Sequence, residues 1–240
     1  MKKILFSLFA VALLCSCGNA TDKCGDCCDS TSVTNGDSSK TALNYLHSDT
    51  QMNELFGNVK SATFSVSMAQ DFEGTPFPNF DYEDTKSNLF FTRKGEYDLK
   101  AEGFFWRIDI PKLKRNQKGQ VTTATWYVPD FDTEISNKYE YDERGMVKYL
   151  EEEGTESISE AYYTYDDDSY LVSATGTSAA EGTVYKTTIT YKILEKDDHQ
   201  NWTKRVAKIE NQSGPDDGSD TYPDSEVYYE VHNRVIEYYK

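Results

Sequence analysis

Three features of the sequence predict an all-β chain of repetitive antiparallel hairpins in a meandering, curled single-layer sheet, solenoid-like or half-barrel. Apolar and polar residues alternate with a period of two through most of residues 57–240. Turn-type tetrapeptides end at positions 95, 119, 145, 169 and 200, at intervals of about 24 to 31 residues. The chain also carries 18 Tyr, a residue type that suits pleated, half-buried surfaces. Charge adds an exclusion. With 41 acidic against 25 basic residues the formal net charge is −16, which repels phosphate backbones and anionic headgroups, so nucleic acid is not an expected partner.

The first residues read as an address. Lys2 and Lys3 precede the apolar run Ile4 to Leu14, the pattern of a secretory signal and too short for a spanning helix. Leu14-Cys15-Ser16-Cys17 then resembles the bacterial lipobox, and by that resemblance Cys17 becomes the lipidated first residue of the mature chain. Gly18 rather than Asp after it is similar to an outer-membrane sorting choice, with the periplasmic and the outer face both open. Cys24, Cys27 and Cys28 make half of a zinc site at most, since no second Cys pair exists and the nearest His is His47, so a flexible tether is the simpler reading. Ser30 to Lys40 is too polar to bury a core. The division expected is a signal peptide at 1–16, a lipidated Cys and flexible linker at 17–40, a short helical segment at 41–56 and a β-hairpin repeat domain at 57–240.

Within that domain Val59 to Gln70 alternates as a first strand, and Asp71 to Lys86, with Gly74, Pro76 and Pro78, reads as an irregular insertion. The reference hairpin is Lys138 to Tyr149. Tyr139 and Tyr141 share a face, Asp142-Glu143-Arg144-Gly145 makes the turn, and simple alternation puts Val147 and Tyr149 on one face beyond it. Copies place Leu89 and Phe91 before Gly95, Leu113 before Gly119, Tyr163 and Tyr165 before Asp166-Asp167-Asp168-Ser169, and Ile189 and Tyr191 before Gln200, the last with an insertion of about five residues. After the turns come Tyr97 and Leu99, Val121 and Thr123, Leu171 and Ser173, and Trp202 and Lys204. Each unit is too short to bury its own apolar face and must lean on its neighbours. Glu226 to Val231 and Arg234 to Tyr239 form a final pair or one long strand.

At Tyr139 to Gly145, Tyr163 to Asp166 and Asn201 to Arg205 the chain resembles the YD repeats of the RHS type, in the short form carried by lipoproteins of anaerobic gut bacteria. Ile236-Glu237-Tyr238-Tyr239 is similar to how those chains end, and the resemblance spans residues 89 to 240. Ser169 stands where the turn glycine is usual. The family implies a structural or surface repeat, with carbohydrate binding proposed for some members and no catalytic residues.

Chemistry-bearing patterns are sparse. The sequence lacks Gly-x-Ser-x-Gly, His-Glu-x-x-His and a phosphate-cradling Gly loop. His47, His199 and His232 each neighbour turn or linker composition and read as solvated. Glu151 to Glu153, Asp166 to Asp168, Asp197-Asp198 and Asp216-Asp217 read as charge runs in turns, so neither a metal nor another cofactor is expected. Tyr139, Tyr141, Tyr163, Tyr165, Tyr191 and Trp202 are the candidate ligand-binding residues. As an exposed row they would stack on a glycan or grip an extended peptide. Their recurrence at matching offsets favours cross-strand packing of the same rings. The function expected is a lipid-anchored cell-envelope protein acting as a binding or structural surface module, not an enzyme. A carbohydrate-capture accessory protein and a carboxylate-dependent hydrolase are the alternatives.

Overall fold

The computed structural model describes residues 49–72, 75–78, 85–102, 112–128, 132–154, 158–180, 182–218 and 221–240. Cys17 and the linker lie outside them. One helical turn, α1 (Asp49–Met52), precedes twelve strands: β1 (Val59–Phe72), β2 (Thr75–Pro78), β3 (Thr85–Phe90), β4 (Lys112–Arg115), β5 (Val121–Val128), β6 (Thr133–Tyr141), β7 (Val147–Glu153), β8 (Ile158–Tyr165), β9 (Leu171–Ala180), β10 (Thr183–Lys196), β11 (Trp202–Pro215) and β12 (Asp224–Tyr238). All belong to one antiparallel sheet in the order β2-β1-β12-β11-β10-β9-β8-β7-β6-β5-β4, with β3 also on β1. From β4 to β12 spatial order is chain order, the meander expected. The first strand then lies against the last, Phe64 opposite Arg234 and Val66 opposite His232.

Residues 71–86 are more ordered than their composition suggests, because Thr75–Pro78 pairs with Ala69–Phe72 and Thr85–Phe90 with the earlier half of β1. Among the described residues the strand path ends at β2 and β4, and backbone hydrogen bonds do not close the sheet into a barrel. Both ends are blunted against further pairing. Pro76 and Pro78 remove donors from β2, and the four-residue β4 carries Lys112, Lys114 and Arg115.

The five turns share one geometry. The N–H of Gly95, Gly119, Gly145, Ser169 and Gln200 donates to the carbonyl three residues earlier, at 2.9–3.1 Å, and each turn's first residue donates its N–H to the carbonyl four residues on, at 2.7–2.9 Å. The fourth residue takes the left-handed conformation throughout, φ 78°, 82° and 84° at the three glycines and 68° and 67° at Ser169 and Gln200. The Asp or Asn that opens four of the turns has a local task. Its side-chain oxygen accepts the N–H four residues on, from Gln120, Met146, Tyr170 and Asn201.

Alternation breaks beside four of the five turns. The register slips at Lys114/Arg115, Glu140/Tyr141 and Thr164/Tyr165, and twice between Ile193 and Lys196. A bulge there adds one residue to the outgoing strand and reverses its faces. The face partner of Val147 is therefore Leu150, which opposes Tyr139, and not Tyr149. Tyr149 points outward, its ring centroid 4.9 Å from that of Tyr162. Thr123, Ser173 and Lys204 are displaced from the inner face in the same way. That inner face carries one apolar cluster, including Leu89, Phe91, Val121, Val147, Leu171 and Ile189.

Ser169 and Gln200 hold side chains in a backbone region that costs an L-residue about 1–2 kcal/mol. Ser169→Gly and Gln200→Gly are each expected to raise the melting temperature by roughly 1–3 °C, and Gly145→Ala to lower it. Thermal denaturation followed by circular dichroism checks all three.

Candidate functional site: a strap and its buried ion cluster

Residues 49–58 cross the inner face at the turn end of the sheet and touch the hairpins in succession. Asp49 accepts the backbone N–H of Tyr97 at 2.9 Å and both terminal nitrogens of Arg115 at 2.9 and 2.8 Å. Tyr97 pairs with Phe91 just beyond β3, whereas Arg115 belongs to β4 at the other end of the sheet. One buried carboxylate thus joins the two extremities, which fixes the curl. Gln51 donates to the Arg144 carbonyl at 2.7 Å. Asn201, fully buried, pairs its amide with both backbone groups of Phe56, at 2.6 and 2.9 Å, as a neighbouring strand would.

Glu54 is the centre. Held at φ 53° and 4 % exposed, its carboxylate accepts the Leu171 N–H at 2.7 Å, the Trp202 indole N–H at 3.2 Å and the Arg205 guanidinium at 2.7 Å. Its carbonyl and that of Asn53 accept from Arg234 at 2.8 and 3.0 Å, and the Trp202 carbonyl accepts from the Arg234 Nε. The guanidinium carbons of Arg205 and Arg234 lie over the Trp202 ring, 4.2 and 3.7 Å from its centroid. Burial draws Arg234 down to about 9, with Glu54 pulling the other way, so it keeps its charge at neutral pH. His232 lies behind Arg205, its Nδ1 accepting from the Arg205 Nε at 3.5 Å and its Nε2 2.8 Å from Glu230. Burial depresses its pKa despite Glu230, and the two contacts assign the proton to Nε2. The Glu54 carboxylate is spent on Leu171, Trp202 and Arg205 and the Arg234 guanidinium on three carbonyls, an arrangement that locks the strap.

The six candidate aromatic residues do share a face, but it is the inner one. Tyr139, Tyr163 and Tyr191 are 6–8 % exposed and Trp202 2 %, while Tyr141 and Tyr165 are half-buried. Packing uses these rings because the curl turns their side of the sheet inward. The Tyr141 hydroxyl donates to the Val121 carbonyl at 2.6 Å, beside Met52. His199 is exposed on the last turn, as expected, stacked 3.9 Å from Tyr238. His232 is not solvated: β12 is buried on both faces there, Val231 packing with Ala69 and Val206 on the other side. Glu151 to Glu153 belong to β7 and not to a turn.

Glu54, Arg205 and Arg234 escaped the sequence reading. Arg205 had a signal, since it follows its turn at the distance where Leu150 and Ala174 follow theirs, a charge at a core position. Among the described residues no group of three or more His, Cys, Asp or Glu is placed to hold a metal ion.

Removing one partner of a buried ion pair leaves the other uncompensated. Glu54→Gln is expected to cost about 3–5 kcal/mol in urea denaturation, and less when combined with Arg205→Met. The unfolded chain protonates His232 at the ordinary histidine value and the folded chain only below it. Stability therefore falls as the pH drops through that interval, by at most about 1.4 kcal/mol per pH unit from this group. Denaturation at pH 7.5 and 5.5 should show a smaller loss in His232→Gln than in the unsubstituted chain. No protein-family model matches this sequence, and no curated protein matches it.

Proposed function

We propose that this is a lipid-anchored protein of the cell envelope, held in the outer membrane through Cys17, whose β body acts as a binding or structural surface module and not as an enzyme. The observation that carries the reading is the strap. From Asp49 to Phe56, on the Cys17 side of β1 in sequence, the chain is bonded to hairpins along the whole turn end. Load on the anchor is thereby spread over the sheet instead of peeling one strand. The Leu14 to Cys17 motif supports the address. Five turns of one geometry support reading residues 89–240 as repeats of the YD type. The acidic chain suits an aqueous face of the membrane and neutral or cationic partners.

Radiolabelled palmitate should enter the unsubstituted protein and not Cys17→Ala, which should move from the membrane to the soluble fraction. Equal labelling of both chains, or labelling of neither, would remove the anchoring half of the reading.

A further inference from the structure

The β10–β11 hairpin outreaches its neighbour. Pairing of β10 with β9 ends at Thr190 opposite Ser173, while pairing of β10 with β11 runs on to Lys196 opposite Trp202. The run from Thr190 to the turn at Asp197 is longer than the run from Ser169 to Ser173, which is the insertion of the last repeat seen in three dimensions. From Lys192 to Lys196, therefore, one edge of β10 has no partner strand among the described residues. An edge left so offers a row of N–H and C=O groups to any extended chain that reaches it. The outer edges of the sheet are guarded by prolines or by a short cationic strand, but β10 has no proline.

Along that edge lies an open cavity of about 450 Å³, bordered by Leu171 and Val172 of β9 and by Tyr191, Ile193 and Leu194 of β10. Leu171 and Tyr191 belong to the inner cluster, whereas Leu194 is 47 % exposed. Residues of both faces thus border one space, which places it in the plane of the sheet, as a slot between two strands. The bulges help to open it. Val172 and Leu194 are their extra residues, since Leu171 and Ser173 oppose Tyr165 and Thr164, and Ile193 and Glu195 oppose Arg205 and Lys204. The Leu171 N–H is taken by Glu54, so β9 does not offer it to β10. Near the turns a side chain spans the gap that backbone pairing spans elsewhere. The Tyr170 hydroxyl donates to the Gln200 carbonyl at 2.5 Å, and the Lys196 ammonium lies 3.8 Å from the Tyr170 ring centroid.

We propose that the slot between β9 and β10 binds an extended peptide, which pairs with the β10 edge from Lys192 to Lys196 as an added strand. At 3.3 Å per residue that edge is about 17 Å long, room for roughly four or five residues of a strand. Backbone pairing supplies the affinity and alternate side chains the selection. Leu171, Ile193 and Leu194 suit apolar β-branched side chains, and the net charge of −16 favours basic flanks. The site rests on the binding reading above and gives it a class of partner.

Isothermal titration calorimetry on the purified full chain tests this, with three ligands: the peptide acetyl-Lys-Val-Thr-Val-Lys-amide, the same peptide N-methylated at its three central residues, and the neutral sugar cellobiose. The first should bind with a Kd below about 1 mM. The second lacks the donors a strand needs and should not bind, nor should cellobiose. Val172→Trp fills the slot and should weaken binding about tenfold. Leu194→Lys sets a charge against the basic peptide at an exposed position, so it should weaken binding without lowering the melting temperature, which separates the site from a loss of folding. Thr175→Trp, exposed on β9 away from the slot, should leave binding unchanged. Absence of heat with the peptide, equal heat with its N-methylated form, full binding by both slot variants, or binding of cellobiose alone would overturn the proposal. So would a dimer of the chain in analytical ultracentrifugation that the peptide does not dissociate. Palmitate labelling reports on anchoring independently, so an acylated chain that does not bind the peptide defeats this site and leaves the envelope address standing.

Discussion

The fold depends on one carboxylate more than on any other side chain. A single-layer sheet exposes two faces, and a meander of hairpins has nothing of its own to cover the one it needs to bury. Curling supplies part of the cover. The segment ahead of β1 supplies the rest at the turn end, and Glu54 holds it there by accepting from the backbone of β9 and from two side chains of β11 while its own carbonyl accepts from β12. Two guanidinium groups within reach of one indole would repel each other in an apolar interior. With Glu54 between them and three carbonyls around Arg234, burial becomes tolerable.

The repeat and the strap answer different problems. The four hairpins from β4 to β11 repeat a turn, a bulge and a Tyr or aliphatic residue facing inward, so neighbouring units pack by similar contacts. That uniformity leaves the two extremities of the row unlike the middle, as in any one-dimensional stack. Here they are handled asymmetrically. The β12 side receives a strand from the N-terminal part of the body, and the β4 side receives Asp49, which also holds Tyr97 from the far edge. Side-chain charge thus finishes a closure that strand pairing leaves incomplete.

How much of this is legible in the sequence follows from how local each cause is. The turns are legible because Asp142, Asp166 and Asp197 act on a backbone N–H only four residues away, and because glycine relieves the left-handed position. Ser169 and Gln200 are legible by spacing alone. The faces beyond the turns are not, since Lys148, Val172 and Thr122 are ordinary strand residues and the bulge they share has no composition of its own. The aromatic rows are legible as rows, but whether they face solvent depends on the direction of curl, a property of the whole sheet. Glu54 lies outside the periodic body, and its partners are 117 to 180 residues away. Nothing near it in sequence distinguishes it from the many solvated acids around it.

The two ends of the concave face then differ for a physical reason. At the turn end five tight loops pin the strands they join, so a crossing segment meets fixed backbone groups and can be matched to them one by one, as Glu54 and Asn201 are. Further along, the inner positions turn from Val147, Leu150 and Leu171 to Asn137, Glu152 and Thr187. Thr187 has its own partner, donating to Asn211 at 2.8 Å, so polarity alone does not leave atoms stranded there. Asn137 is different because its neighbour Tyr139 takes one arm of the amide and no donor meets the other.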